Sequence, residues 1–211
     1  MIEKSNNVLL KPLALTGTLW LFSLLINFEF PLKAVALLAL ILAGYWMSAI
    51  HRDIPESVFT PDLWRFKKSR NWIVIAFVFS LALSVYSRIE DGLPAIPSKI
   101  GVFVIVAVFI GFVEEVVFRG FVQGAAQRWS TTGAVVLASV SHAGYKGLLF
   151  VFPSQLLNNS ALELFGYTFL AGLILGYSRK ATGSLWPAIL AHCFFDFWLY
   201  MEQSSAPWWV W

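Results

Sequence analysis

Two adjacent carboxylates and an arginine, Glu114, Glu115 and Arg119, stand inside an otherwise apolar run. Ile100 to Val113 carries no charge, and Phe121 and Val122 follow the group. Ionisable groups at membrane depth cost roughly 2.5–3.5 kcal/mol each, so they need partners, a water-filled cavity or a chemical task. Successive helix residues turn by about 100°, which puts Glu115 and Arg119 on one face and turns Glu114 away from them. The expected arrangement is a structural Glu115–Arg119 ion pair and a Glu114 without a local partner, free to face a cavity. A carboxylate so placed suits a general base.

Further polar groups follow. His192 and Asp196 are spaced i,i+4 and share a helix face. His142 stands alone on its helix, with Ser139, Tyr145 and Lys146 as possible face neighbours. Carboxylates combined with imidazoles support two chemistries. They can activate water and stabilise an oxyanion. They can also hold a divalent metal, with Glu114, His142 and His192 as the zinc ligands. Structural readings compete with both. One hydrogen bond satisfies a neutral His142, and His192 with Asp196 could form an interhelical clasp. Cys193 lies about 100° from His192 on the helix and reads as inert packing.

Composition says what surrounds these groups. Of 211 residues, 58% are apolar and 13% charged, with a mean hydropathy of +0.71. Soluble domains carry about 25% charged residues. The chain therefore reads as all-α, a polytopic membrane bundle of about seven transmembrane helices. Ten Trp suit interfacial anchoring. The net charge of +3 is needed for topology and gives no reason to propose nucleic acid. A single Cys excludes an intrachain disulfide or a multi-cysteine metal site.

The helices that must position the polar groups can be marked along the chain. Leu9 to about Phe28 reads as the first span, too long for a typical signal segment and expected to stay. Lys33 to about Ile50 is the second. His51 to Arg70 is a basic loop; within it Thr60, Pro61 and Asp62 look like a helix start, and Leu63 to Lys68 suggest a short helix at the lipid surface. Asn71 to about Ser87 is the third span, and Lys99 to about Arg128 the fourth. Thr131 to about Phe152 is the fifth. Ala161 to about Tyr177 is the sixth, followed by a basic turn from Arg179 to Gly183. Ser184 to about Glu202 is the seventh, and the Trp-rich tail to Trp211 reads as an interfacial anchor.

Seven spans sort Lys and Arg unevenly. One side collects ten: Lys4, Lys11, Arg52, Arg65, Lys67, Lys68, Arg70, Arg128, Arg179 and Lys180. The other collects four: Lys33, Arg88, Lys99 and Lys146. The positive-inside rule then predicts a cytoplasmic N-terminus and an outside C-terminus. At 1.5 Å per residue, Glu114, His142 and His192 lie roughly 21, 16 and 12 Å from the cytoplasmic ends of their helices. Three helices thus bring polar chemistry to overlapping depths, and the active site is expected between helices four, five and seven.

This pattern resembles the CPBP intramembrane endopeptidases, the CAAX-prenyl-protease-2 and bacteriocin-processing group also called Abi. Its elements are Glu-Glu-x-x-x-Arg, Phe-x-x-x-His, and His-x-x-x-Asn or Asp. Here they are Glu114, Glu115 and Arg119, then His142, then His192 and Asp196. Ala138 stands where the second element has Phe, and Asp196 is a permitted variant of the third. The resemblance covers about residues 100–200. It implies a protease core there, within a single integral membrane domain over 1–211.

The resemblance further implies a glutamate-dependent intramembrane protease without a cofactor, zinc being the lesser alternative. Glu114 and His142 would activate water, His192 and Asp196 would stabilise the oxyanion, and Glu115 with Arg119 would brace the site. The partners would be the lipid bilayer and a membrane protein, or a lipidated or hydrophobic peptide cut near its C-terminal tail. A rival is a non-enzymatic membrane protein, either a proton-coupled transporter or a bacteriocin-immunity or scaffold protein. Transporters often show internal repeats, and none is visible here.

Overall fold

The computed structural model describes residues 8–53, 66–151 and 161–203. Among them all regular structure is helical, and it forms seven rods. In chain order these are α1 (Leu10–Leu25), α2 (Leu32–Asp53), α3 (Phe66–Glu90), α4 (from Phe103), α5 (Thr131–Leu149), α6 (Ala161–Thr182) and α7 (Trp186–Tyr200). Rod α4 is α-helical over Phe103–Glu115, π-helical over Val116–Gln123 and α-helical again over Gly124–Ala126. Leu32–Asp53, Arg70–Glu90 and Ala161–Thr182 are long and apolar enough to cross a membrane. The chain is a membrane protein. The other rods miss that standard for visible reasons: α1 has 16 residues and α7 has 15, while α5 spends its length on Ser, Gly, His and Lys.

Several sequence-based boundaries move. The third helix begins at Phe66, so residues 66–70 extend α3 instead of closing the basic loop. Most of the expected surface helix, and the Trp-rich tail, lie outside the described residues. The basic turn at 179–183 is also corrected. The helix continues to Thr182, and only Gly183, at φ +71°, turns the chain. Its N–H bonds to the Arg179 carbonyl at 2.8 Å, a glycine stop of the left-handed kind. Arg179 is held inside the bundle and donates to the Gly120 carbonyl at 3.3 Å.

The main core joins α1, α2, α4 and α5 through Leu15, Leu19 and Phe22, Ala36, Ala39 and Ala43, Phe118 and Val122, and Ala138 and Leu149. The alanine stripe on α2 lets helix backbones approach closely, which favours helix association in lipid. Polar bonds fix the register of α1 on α5. Trp20 Nε1 donates to the Ser141 carbonyl at 2.9 Å, and the Thr16 and Ser141 hydroxyls lie 2.8 Å apart. Helix α5 meets α6 across Gly172 and Gly176. A Cβ at Gly172 would stand 2.9 Å from Ser139 Cβ, and one at Gly176 would stand 2.8 Å from Val135 Cγ1. This small-xxx-small seam presses together the helix that carries His142 and its neighbour. On the other side, α7 packs against α3 and α4.

Candidate active site

The π-helical stretch starts one residue after Glu115. A single chain segment therefore changes winding beside its two carboxylates, as often happens at functional sites. Glu115 and Arg119 remain neighbours, with Arg119 Nη1 3.1 Å from Glu115 Oε1 and both side chains fully buried. The same Arg119 Nη1 lies 2.7 Å from His142 Nδ1. A guanidinium only donates, so Nδ1 must accept, and the hydrogen of the neutral ring sits on Nε2. Nε2 lies 3.1 Å from Glu114 Oε2 and donates to it. Arginine thus selects the His142 tautomer that holds Glu114.

Helix α7 supplies the second imidazole. His192 Nδ1 lies 2.8 Å from Glu115 Oε1 and donates to that carboxylate. Nε2 then points into the gap between Glu114 Oε2 and Asp196 Oδ2, 3.7 Å from each. Gly111 makes room for this approach. A Cβ there would collide with Asp196 Oδ2 and stand 3.3 Å from His192 Cδ2. Phe118 stacks on His142 with ring centroids 4.4 Å apart, closing the cluster on its apolar side. Glu114, His142 and Asp196 are nearly inaccessible, at 4%, 3% and 5% exposure.

All six residues singled out by their types and spacing meet in one cluster between α4, α5 and α7. One expectation about them is corrected. Glu114 does have a charged partner: Lys146 Nζ stands 2.5 Å from its Oε1. Lys146 is on α5, four residues after His142. That i,i+4 spacing puts both side chains over one face, as the face-neighbour reading of Lys146 expects. Gly111, three residues before Glu114, is not among the residues that the sequence marks. Cys193 is spent on packing, its thiol donating to the Val108 carbonyl at 3.3 Å.

A zinc ion on Glu114, His142 and His192 fits this arrangement poorly. Neither His142 nitrogen keeps a free lone pair, and Lys146 and Arg119 bring two cations to the same carboxylates. Among the described residues no three His, Cys, Asp or Glu side chains are set to hold a metal ion.

A family model described as type II CAAX prenyl endopeptidase Rce1-like matches residues 95–198. Those residues belong to that family. It is a protease family, and the match agrees with the CPBP resemblance of the Glu-Glu, His and His-x-x-x-Asp elements. No curated protein and no solved structure matches the chain. The Rce1-like segment runs from the loop before α4 almost to the end of α7, so it contains every residue of the cluster.

Proposed function

We propose that the protein is an intramembrane endopeptidase that hydrolyses a peptide bond with water activated by Glu114. The observation that carries this reading is Glu114 itself. Its Oε2 is held by His142, while its Oε1 faces Lys146 and, among the described residues, accepts no aligned hydrogen bond. A buried carboxylate oriented on one side and still able to accept on the other has the form of a general base.

The steps balance as follows. Water attacks the scissile carbonyl carbon, and Glu114 takes the proton it loses. His142, fixed by Arg119, keeps the carboxylate oriented. The tetrahedral oxyanion is met by His192 Nε2, which donates when the ring is doubly protonated. Asp196 supports that charge as a carboxylate, and as an acid it could donate a hydrogen bond itself. The C–N bond then breaks, and Glu114 returns its proton to the leaving amine. Glu115 and Arg119 brace the two imidazoles.

The substrate in this reading is a lipidated or hydrophobic protein tail, or a membrane-inserted peptide. The chain crosses the bilayer seven times with its N-terminus in the cytoplasm. Seven rods support this, as does the bias of ten Lys and Arg against four. The test is cleavage by purified protein in lipid vesicles. The panel holds a prenylated CAAX peptide, a double-glycine leader and a transmembrane sorting tail, each with and without chelator. Chelator-resistant cleavage of a panel member supports the proposal. Chelator-sensitive cleavage restored by zinc would replace the glutamate mechanism with the metal one. Failure on every member would favour the transporter or scaffold reading.

A further inference from the structure

Lys146 is the charged member of the cluster that lies outside the Glu-Glu, His and His-x-x-x-Asp elements. Its neighbours define what it can do. From α5 itself, His142 and Tyr145 flank it, with the Tyr145 ring centroid 6.0 Å from Nζ. Across the gap stands Glu114 of α4, with Asp196 and His192 of α7 behind it. With 19% of its side chain exposed, Lys146 is the most accessible group of the cluster, against 5% for Glu114 and 1% for Arg119.

Charge counting shows why a cation is needed there. The cluster holds three carboxylates, Glu114, Glu115 and Asp196. Arg119 is committed to Glu115 and to His142. Without Lys146, Glu114 would face only imidazoles and its own neighbouring carboxylates in an apolar interior. A buried charge in that position is unfavourable unless compensated.

Two jobs for this ammonium can be separated by geometry. One is to bind the C-terminal carboxylate of a substrate. In an extended chain each residue beyond the cut bond carries a terminal carboxylate roughly 3.3 Å further away, whereas Lys146 Nζ stands 2.5 Å from Glu114. That job needs a reach the contact does not have. The other is to hold the base. His142 and Lys146 come from one helix at i,i+4 and take opposite oxygens of one carboxylate, Oε2 and Oε1. Oε1 carries two lone pairs, so the ammonium contact leaves it able to accept from a second donor.

We propose that Lys146 is a positioning residue of the reaction, holding Glu114 Oε1 by its charge while leaving that oxygen able to accept the proton of the attacking water. This rests on Glu114 acting as the general base. Lysine suits the task because its ammonium is a compact point charge, with no planar fork to impose two aligned bonds on the carboxylate.

The test compares wild type, Lys146→Met, Lys146→Arg and Glu114→Gln as full chains in lipid vesicles, using the peptide panel above. A misplaced base predicts a kcat lower by about 10²-fold in Lys146→Met. Because Lys146 acts through the base, KM stays within about twofold. Lys146→Arg keeps the charge and recovers kcat to within about tenfold of wild type. A Lys146→Met kcat equal to wild type overturns the inference while leaving Glu114 as the base. A loss carried mainly by KM, or one that arginine does not rescue, also overturns it. If wild type cleaves no panel member, the reading beneath it fails and the inference falls with it.

Discussion

Arg88 and Arg119 are both fully buried, and both pair with a glutamate, yet their surroundings are finished differently. Arg88, near the end of α3, uses every donor group. Nε donates to the Pro94 carbonyl at 2.7 Å, Nη1 reaches the Trp198 and Leu199 carbonyls at 3.4 and 3.3 Å, and Nη2 pairs with Glu202 at 2.5 Å. Glu202 is equally occupied, its other oxygen accepting from the Ser98 N–H and hydroxyl at 2.7 and 2.8 Å. The clasp caps the last carbonyls of α7 and ties the loop before α4 to them. Around Arg119 the count does not close. Among the described residues, its Nε and Nη2, Glu114 Oε1, Glu115 Oε2 and Asp196 Oδ2 make no aligned hydrogen bond.

The contrast separates two uses of buried charge. A saturated network has spent its capacity on holding helices together. An unsaturated one keeps donors and acceptors aimed at something else, and native proteins rarely leave such groups idle. The clasp is therefore architecture, and the Glu114 cluster has the form of a site.

Substitutions can break or sharpen this division. The largest effect is expected from Glu114→Gln, which keeps shape but cannot accept the water proton. Cleavage should fall by roughly 10³-fold or more, with the helical content of the purified protein unchanged by circular dichroism. Next come the two arginines. Arg119→Met should destabilise the fold by about 3–5 kcal/mol in reversible unfolding, because it leaves the buried Glu115 carboxylate uncompensated, and Arg88→Met should destabilise it as well, by leaving the Pro94, Trp198 and Leu199 carbonyls without their donor. Only Arg119→Met should also lower kcat of the folded fraction. Equal kcat losses in both would erase the distinction.

Gly111→Ala probes the unsaturated side alone. Its methyl would displace Asp196 from the His192 edge, and a misplacement of that kind is expected to reduce kcat by roughly 10-fold to 10²-fold. Unfolding should change far less than in either arginine variant. The smallest effect belongs to Glu202→Gln. Arg88 and Ser98 hold the Glu202 carboxyl at about 2, below its ordinary 4.5. A depressed carboxylate contributes stability above its unfolded value and loses it as pH falls. The difference in unfolding temperature between wild type and Glu202→Gln should stay constant from pH 8 to 5, then narrow from about 4.5 towards 2. A difference that widened with acid would contradict the clasp.

Different features of the molecule were legible from sequence for different reasons. The Glu115–Arg119 pair follows from helical periodicity, and the meeting of Glu114, His142 and His192 follows from counting depth along three helices. Both are local arithmetic. The i,i+4 spacing puts Lys146 on the face of His142, but nothing within that helix says that its ammonium meets Glu114 of another one. The π-helical turn after Glu115 leaves no composition signal, since Val116 to Gln123 would also suit an ordinary α-helix. The Arg88–Glu202 clasp joins residues 114 positions apart, and no periodicity connects them. Gly111 reads as one more small residue in an apolar helix until α7 is packed against it.

The most direct measurement is single-turnover cleavage of a prenylated CAAX peptide by wild type and Glu114→Gln, reconstituted side by side with chelator present. The account predicts product from wild type and none from the variant. Equal product from both, with the variant folded, would contradict Glu114 as the base and return the unsaturated cluster to a structural role.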